Sequence, residues 1–307
     1  MQRGRKIAYI INPISGKGSK DSLRNTIEKE TQNLGIRYLI YPSVANGDYT
    51  FLHDIIEEEK ITDVVVVGGD GTVSQVVYSL LYLPIKIGII PAGSGNGLAF
   101  GAGISKSPSK ALKTIFDNKT MRVDGFFVNQ RFACMLCGLG FDARIAHDFA
   151  NQQTRGLATY IRKVFKNFFK AKTYTFEIEL KEKTFTVEAY FISIANTNQF
   201  GNHFTIAPLA RLTDGLLDVV IITEQSKIGM VYNTMLQVVG LTKLKAPEKI
   251  NQRKGSIYFQ TDKIKIINKS NAPMHIDGDP VETEKEITIS IKQKCFSLLV
   301  NKNESTE

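Results

Sequence analysis

The sequence predicts an α/β chain in two parts: an N-terminal doubly wound, Rossmann-like domain, then an all-β sandwich. Three observations lead there. Over residues 1–125, short apolar runs alternate with stretches of helical spacing, the rhythm that builds a parallel sheet covered on both faces. After Met121 the rhythm changes to strand-like segments with few helices between them, as in a sandwich. Three of the N-terminal apolar runs end in glycine-rich polar turns, and in open parallel sheets such turns gather at the carboxyl ends of the strands, where ligands bind.

The first strand is expected over residues 6–11, followed by Asn12-Pro13-Ile14-Ser15-Gly16-Lys17-Gly18 and a helix over 22–34. A second strand over 36–41 leads through Tyr41-Pro42-Ser43 to a helix over 49–59. The third strand, residues 63–67, contains Val64-Val65-Val66-Val67, four β-branched residues in a row, which reads as fully buried. It runs into Gly68-Gly69-Asp70-Gly71-Thr72 and a helix over 72–81. A fourth strand, 86–90, ends in Pro91-Ala92-Gly93-Ser94-Gly95-Asn96-Gly97-Leu98-Ala99. Ser107-Pro108 has the form of an N-cap and first helical residue ahead of 111–116. In the second part, strands are expected over 173–180, 184–194, 217–223, 255–260, 263–268 and 286–291.

The glycine-rich turns point to a phosphate ligand. Glycine lets backbone N–H groups approach an anion closely, and a helix N-terminus attracts negative charge. Asp70 in such a cradle would repel phosphate unless it manages a metal or a proton. Neither a Walker A loop nor a dinucleotide fingerprint is present. Gly16-Lys17 is followed by Gly18 rather than Ser or Thr, and Leu98 stands where a third glycine belongs.

Composition narrows the classes. With 307 residues the chain is long enough for two cores, and 43% apolar with 22% charged residues is ordinary for a globular protein. No apolar run is long enough for a membrane span. The apolar run after Met1-Gln2-Arg3-Gly4-Arg5-Lys6 is too short for a signal-peptide core, so a cytoplasmic location is expected. Three cysteines give no disulfide framework, and Cys134-Met135-Leu136-Cys137 has no second pair, so it reads as buried thiols. The net charge of +9 suits an anionic counter-surface, and no nucleic-acid motif accompanies it. Residues 161–172 hold five cations and no acid, with Val164, Phe165, Phe168 and Phe169 on one helical face. Such a helix either packs its Phe face on the sandwich or lies in a bilayer interface. His53, His147, His203 and His275 show no ligand spacing.

Asn12-Pro13-x-Ser15-Gly16, Gly68-Gly69-Asp70-Gly71-Thr72 and Pro91-x-Gly93-Ser94-x-Asn96-x-Leu98-Ala99 resemble the three nucleotide-binding motifs of the diacylglycerol kinase catalytic-domain family. That family includes bacterial diacylglycerol kinases and the related sphingosine and ceramide kinases. Gly138-Leu139-Gly140-Phe141-Asp142-Ala143, Asn196-Thr197 with Gly201, Pro208-x-Ala210 and Asp214-Gly215-Leu216-Leu217-Asp218 extend the resemblance. Asp277-Gly278-Asp279 stands where the family has Asp-Gly-Glu. Gly-Gly-Asp-Gly alone is shared with NAD kinases and phosphofructokinases, whereas the ordered set is specific to the lipid kinases.

The resemblance implies domains of 1–125 and 126–292, with a last strand at about 293–303 crossing back to the first. It implies ATP and Mg²⁺ as cofactors and transfer of the γ-phosphate to a lipid hydroxyl, diacylglycerol foremost, with sphingoid base or ceramide as the alternative. Asn12, Ser43, Gly68, Gly69, Gly71, Thr72, Gly93, Ser94, Gly95 and Asn96 would hold the nucleotide. Asp70 would serve the catalytic Mg²⁺, and Asp214 with a carbonyl near Leu217 a second, structural one. Asp279 is the expected general base, one methylene shorter than the family's glutamate, and Asp277 is the runner-up. Lys17, Arg162, Lys163 and Lys166 are candidates for phosphate or headgroup contact. Expected partners are the lipid at a membrane surface and anionic phospholipid, with peripheral association at the inner face of the membrane. A homodimer remains open, and nucleic acid is not expected. Two other classes compete: a small-molecule kinase of the NAD kinase kind, and a non-catalytic nucleotide- or lipid-binding protein.

Overall fold

The computed structural model describes residues 4–13, 20–93, 95–141, 143, 171–198, 207–223 and 255–301. The chain divides into two compact units, one formed by residues 1–125 with 293–307 and the other by residues 126–292.

In the first unit, strands β1 (Lys6–Ile11), β2 (Arg37–Pro42), β3 (Asp63–Gly68) and β4 (Lys86–Pro91) alternate with helices α1 (Lys20–Asn33), α2 (Leu52–Glu58) and α3 (Asp70–Ser79). The short α4 (Gly97–Gly101) and then α5 (Pro108–Asp117) follow β4. All pairings are parallel, in the order β2-β1-β3-β4, and the C-terminal part of β15 (Glu286–Leu299) adds itself to β4 through Ser297↔Lys86 and Leu298↔Ile87. The valines of β3 are fully buried, as a strand covered on both faces requires. From β1 the chain goes to β2 on one side and returns to β3 on the other. The β1/β3 boundary is therefore the topological switch point, where a sheet of this order opens a crevice for ligands.

At the amino ends of these strands Arg5 joins three elements. Its guanidinium donates to both Asp63 carboxylate oxygens at 2.9 and 3.0 Å and to the Ile115 carbonyl of α5 at 2.8 Å. A cation on the last carbonyls of a helix also complements its dipole. This clip closes the end of the sheet opposite the glycine-rich turns.

In the second unit, β7 (Leu136–Gly140), β9 (Thr184–Ala195), β10 (Leu217–Thr223) and β11 (Ser256–Thr261) pair antiparallel. The β13 (Met274–Ile276) and β14 (Asp279–Val281) hairpin adds to β7. The first half of β9 pairs with β8 (Tyr174–Glu179), which continues through β12 (Lys263–Asn268) to the N-terminal half of β15. Alternate residues of these strands, among them Ile178, Ile266 and Ile289 on one side and Leu139, Ile194 and Val219 on the other, fill one apolar core, the pattern of a sandwich.

The structure departs from the expected elements in three places. Glu286–Leu299 form one long strand rather than two, the chain continuing through Lys294 with a left-handed φ of 48°. The buried Asp124 accepts the Lys294 N–H at 2.5 Å and supports that irregular point. Strands β5 (Thr120–Val128), β6 (Arg131–Ala133) and β7 were not expected. Arg122, Asp124 and Gly125 interrupt the apolar pattern of β5, and two of the five residues of β7 are glycines with weak strand preference. Helix α2 starts at Leu52 rather than near Tyr49, since the residues before it form tighter turns in which the Leu52 N–H donates to the Tyr49 carbonyl at 3.0 Å and the His53 N–H to the Thr50 carbonyl at 2.9 Å. Ser107 precedes Pro108 as expected but makes no side-chain cap bond.

Candidate active site

At the switch point the turns after β3 and β4 lie against each other, and Asn12, the first residue after β1, joins them. β1 ends at Asn12, whose backbone N–H donates to the Val67 carbonyl of β3 at 2.9 Å and whose amide donates to the Thr72 hydroxyl at 2.9 Å. The β3 and β4 turns are joined by the Ala92 N–H, which donates to the Gly68 carbonyl at 2.9 Å. The turns lie so close that side chains are excluded. A Cβ on Gly93 would sit 2.4 Å from the Gly69 Cα, and one on Gly95 would sit 2.6 Å from an Asp70 carboxylate oxygen. These contacts bring Asn12, Gly68, Gly69, Asp70, Thr72, Gly93 and Gly95 together, with Gly71 between Asp70 and Thr72 in the same turn.

Asn96 holds the last loop in shape. It is buried and left-handed (φ 59°), accepts the Gly93 N–H at 2.9 Å and donates to the Gly93 carbonyl at 2.8 Å. Its side chain thus closes the loop on itself instead of capping α4. Asp70 is the first residue of α3, after Gly69 in extended backbone. An acid in the first turn of a helix is favoured by the dipole, but it spends the potential a phosphate would otherwise use. Ser43 lies beside Asn12, its N–H donating to the Ile11 carbonyl at 2.9 Å, while its hydroxyl bonds the Tyr49 phenol. Lys17, Ser94, Arg162, Lys163 and Lys166, with Ser15, Gly16, Asp142 and Gly201, lie outside the described residues, as does the cationic segment from 155 to 170.

In the second unit Asp279 opens β14, paired with Ile276. Its side chain reaches solvent, yet surrounding protein desolvates it enough to raise its pKa. The Asp277 charge raises it further, and His275 opposes both. Asp277 differs sharply: it is buried, and its carboxylate accepts the backbone N–H groups of Cys134, Met135 and Leu136.

Asp214 is exposed and accepts the Leu216 N–H at 3.1 Å, an Asx-turn just before Leu217 opens β10. Sequence reasoning gave Asp218 no role of its own. It is buried on β10, takes a hydrogen bond from the Tyr258 hydroxyl, and has its pKa pushed up to about 6, chiefly by desolvation and also by the Asp214 charge. A lone acid inside the apolar run Leu217–Thr223 was the available signal. Among the described residues no three His, Cys, Asp or Glu side chains group as a metal site. A cation at Asp214 would need carbonyl oxygens as well.

The architecture is a parallel β2-β1-β3-β4 sheet with glycine-rich turns at its carboxyl ends in one unit and an antiparallel sandwich carrying an Asp-Gly-Asp hairpin in the other. Residues 6–128 match the diacylglycerol kinase catalytic domain, and residues 136–299 match the YegS C-terminal NAD kinase beta sandwich-like domain. The chain belongs to the diacylglycerol kinase catalytic-domain family and carries the YegS C-terminal type of sandwich domain. It is similar to the diacylglycerol kinase of Bacillus subtilis, with 25% identity over 285 residues, 91% of this chain and 90% of that one. The diacylglycerol kinase of Staphylococcus epidermidis is 25% identical over 280 residues, 90% of this chain and 86% of its own. A crystal structure of a diacylglycerol kinase from Bacillus anthracis shares the fold at a TM-score of 0.75, with 19% identity, covering 97% of this chain and 98% of that one. Membership of a kinase family makes the chain a phosphotransferase and implies ATP use. No helix among the described residues is long and apolar enough to cross a membrane.

Proposed function

We propose that the protein transfers the γ-phosphate of ATP to the hydroxyl of diacylglycerol, giving phosphatidic acid and ADP. The observation that carries the reading is the close approach of the two glycine-rich turns after β3 and β4, where a Cβ at Gly93 or Gly95 would collide, with Asn12 from the end of β1 bonded to Thr72 beside them. Such a cradle offers backbone N–H groups to a triphosphate. The names of the relatives favour diacylglycerol as acceptor.

Phosphoryl transfer is mainly positioning and charge stabilisation. Asn12, Thr72 and the loop held by Asn96 orient the triphosphate. Mg²⁺ fits the cradle, since the space beside the Asp70 carboxylate is one that a side chain at position 95 would fill, and Asp70 is the residue that would hold it. When bound, the ion spreads the charge developing on the phosphates. Asp279 takes the proton of the lipid hydroxyl as the oxygen attacks. Its raised pKa suits that role, because a base with pKa nearer the working pH accepts a proton more effectively. The basic chain meets its lipid at an anionic membrane surface, as a peripheral protein of the inner face.

The test is radiolabelled ATP offered with diacylglycerol, sphingosine, ceramide and NAD in separate reactions. Label in phosphatidic acid is the expected result. Asp279→Asn should lower kcat by about 10²-fold or more with ATP binding kept. Turnover near the wild-type level in that variant would remove Asp279 as the base.

A further inference from the structure

Asp277 is a buried carboxylate that the chemistry above leaves unused. It occupies the first position of the two-residue turn between β13 and β14, with φ 48°, and Gly278 follows with φ 88°. Two successive positive φ values mark the type I′ hairpin turn, whose twist matches its flanking strands. In a plain hairpin an aspartate here would point to water. This one turns back onto the bend between β6 and β7.

There its Oδ2 accepts the Cys134 N–H at 3.0 Å, and its Oδ1 accepts the Met135 and Leu136 N–H groups at 3.0 Å each. The Asp277 N–H returns a bond to the Leu136 carbonyl at 2.8 Å. Asn196, at the end of β9, grips the same bend. Its amide donates to the Cys134 carbonyl at 3.1 Å, and its backbone N–H donates to the Met135 carbonyl at 2.7 Å. Two separate sequence signatures, Asn196-Thr197 and Asp277-Gly278-Asp279, thus close on one three-residue bend.

We infer that Asp277 is a positioning residue for phosphoryl transfer: anchored on the bend at residues 134–136, it fixes the turn that presents Asp279 to the acceptor hydroxyl. The inference rests on the reading of Asp279 as general base. Asp277 acts through Asp279 in two ways. Its hydrogen bonds hold the hairpin, and its charge, second to desolvation and opposed by His275, raises the pKa of Asp279.

The experiment is Asp277→Asn in the full chain. Asparagine tolerates the left-handed backbone, but its nitrogen cannot accept a hydrogen bond, so one side of the clamp opens. The kcat for diacylglycerol should fall about 10²-fold, the scale expected for a reacting group displaced by roughly 1 Å, with KM for ATP unchanged. The acid limb of the kcat–pH profile should move to lower pH. Carbon-13 carboxyl NMR of the substrate-free protein reads the same change directly as a lowered Asp279 pKa. Wild-type kcat with a wild-type profile overturns the inference. So does a folded variant with low kcat whose Asp279 titrates unchanged, since that is the behaviour of a merely structural residue.

If Asp277→Asn fails to fold, Gly278→Ala replaces it. A Cβ there meets nothing within 4 Å, so the change strains only the left-handed backbone of the turn and leaves the clamp intact. Its kcat should fall with KM for ATP unchanged, and wild-type kcat overturns the inference. Should the wild-type protein phosphorylate no lipid, the lipid-kinase reading fails on its own, and the NMR titration still decides whether Asp277 governs Asp279.

Discussion

Asp70 is an acid placed among groups that would hold phosphate, at the first turn of α3. Gly69, not Asp70, stands at the cap of α3, with no side-chain cap bond there. The proposed metal role accounts for the carboxylate. Asp70→Ala should abolish Mg²⁺-dependent turnover while the melting temperature stays close to the wild-type value, because the side chain is only partly buried and its loss opens no core cavity. Mg²⁺ titration of activity beside thermal melting checks both halves, and an unchanged Mg²⁺ dependence would count against the role. At this scale the sequence was legible where chemistry is local. Asn12, Gly69, Asp70, Thr72, Gly93 and Asn96 each stand in a motif. It was silent where partners are far apart along the chain. Asp277 reads as the runner-up base until Cys134, 143 positions away, is seen to donate to it. Nothing local joins Arg5 to Asp63, 58 positions away, and the two pair in the interior.

Among elements, β3 and its turn were legible because every level agreed. Its valines favour a buried strand, and the glycines that follow favour a close approach to an anion. β7 was not, because its Gly138 and Gly140 have little strand preference of their own and are held by pairing with β9 and β13. The turn after β4 shows how little slack such a site has. In Gly93→Ala the new Cβ would meet the Gly69 Cα, which is backbone and cannot rotate away. Forcing the two turns apart costs roughly 1–3 kcal/mol by the usual scale of overpacking, so ATP should bind roughly 5- to 150-fold more weakly. Isothermal titration with a non-hydrolysable ATP analogue measures it. Unaltered affinity would mean that the nucleotide does not depend on the contact between these turns.

For the whole molecule, the net charge of +9 bears on the proposed encounter with anionic lipid. Exposed charges are screened within about 10 Å at 0.1 M salt, so activity on anionic vesicles should fall as salt rises. Replacing Lys163, Lys166 and Lys170 together with Gln should weaken vesicle binding by roughly 1 kcal/mol per lost charge if all three meet the surface. Co-sedimentation with phosphatidylserine vesicles reads both effects. Binding indifferent to salt and to the triple change would discard the membrane contact and leave the kinase reading intact.

The last strand has a consequence for how the protein comes into being. During vectorial synthesis the first 125 residues leave the ribosome well before residues 293–307, yet β4 receives its outer neighbour only when Ser297 and Leu298 arrive. Until then Lys86 and Ile87 of β4 lack their outer partners, on a sheet edge of the kind to which strands from other chains add. A chain truncated before Ser297 should therefore aggregate more readily than the full chain, which light scattering of the two proteins would show.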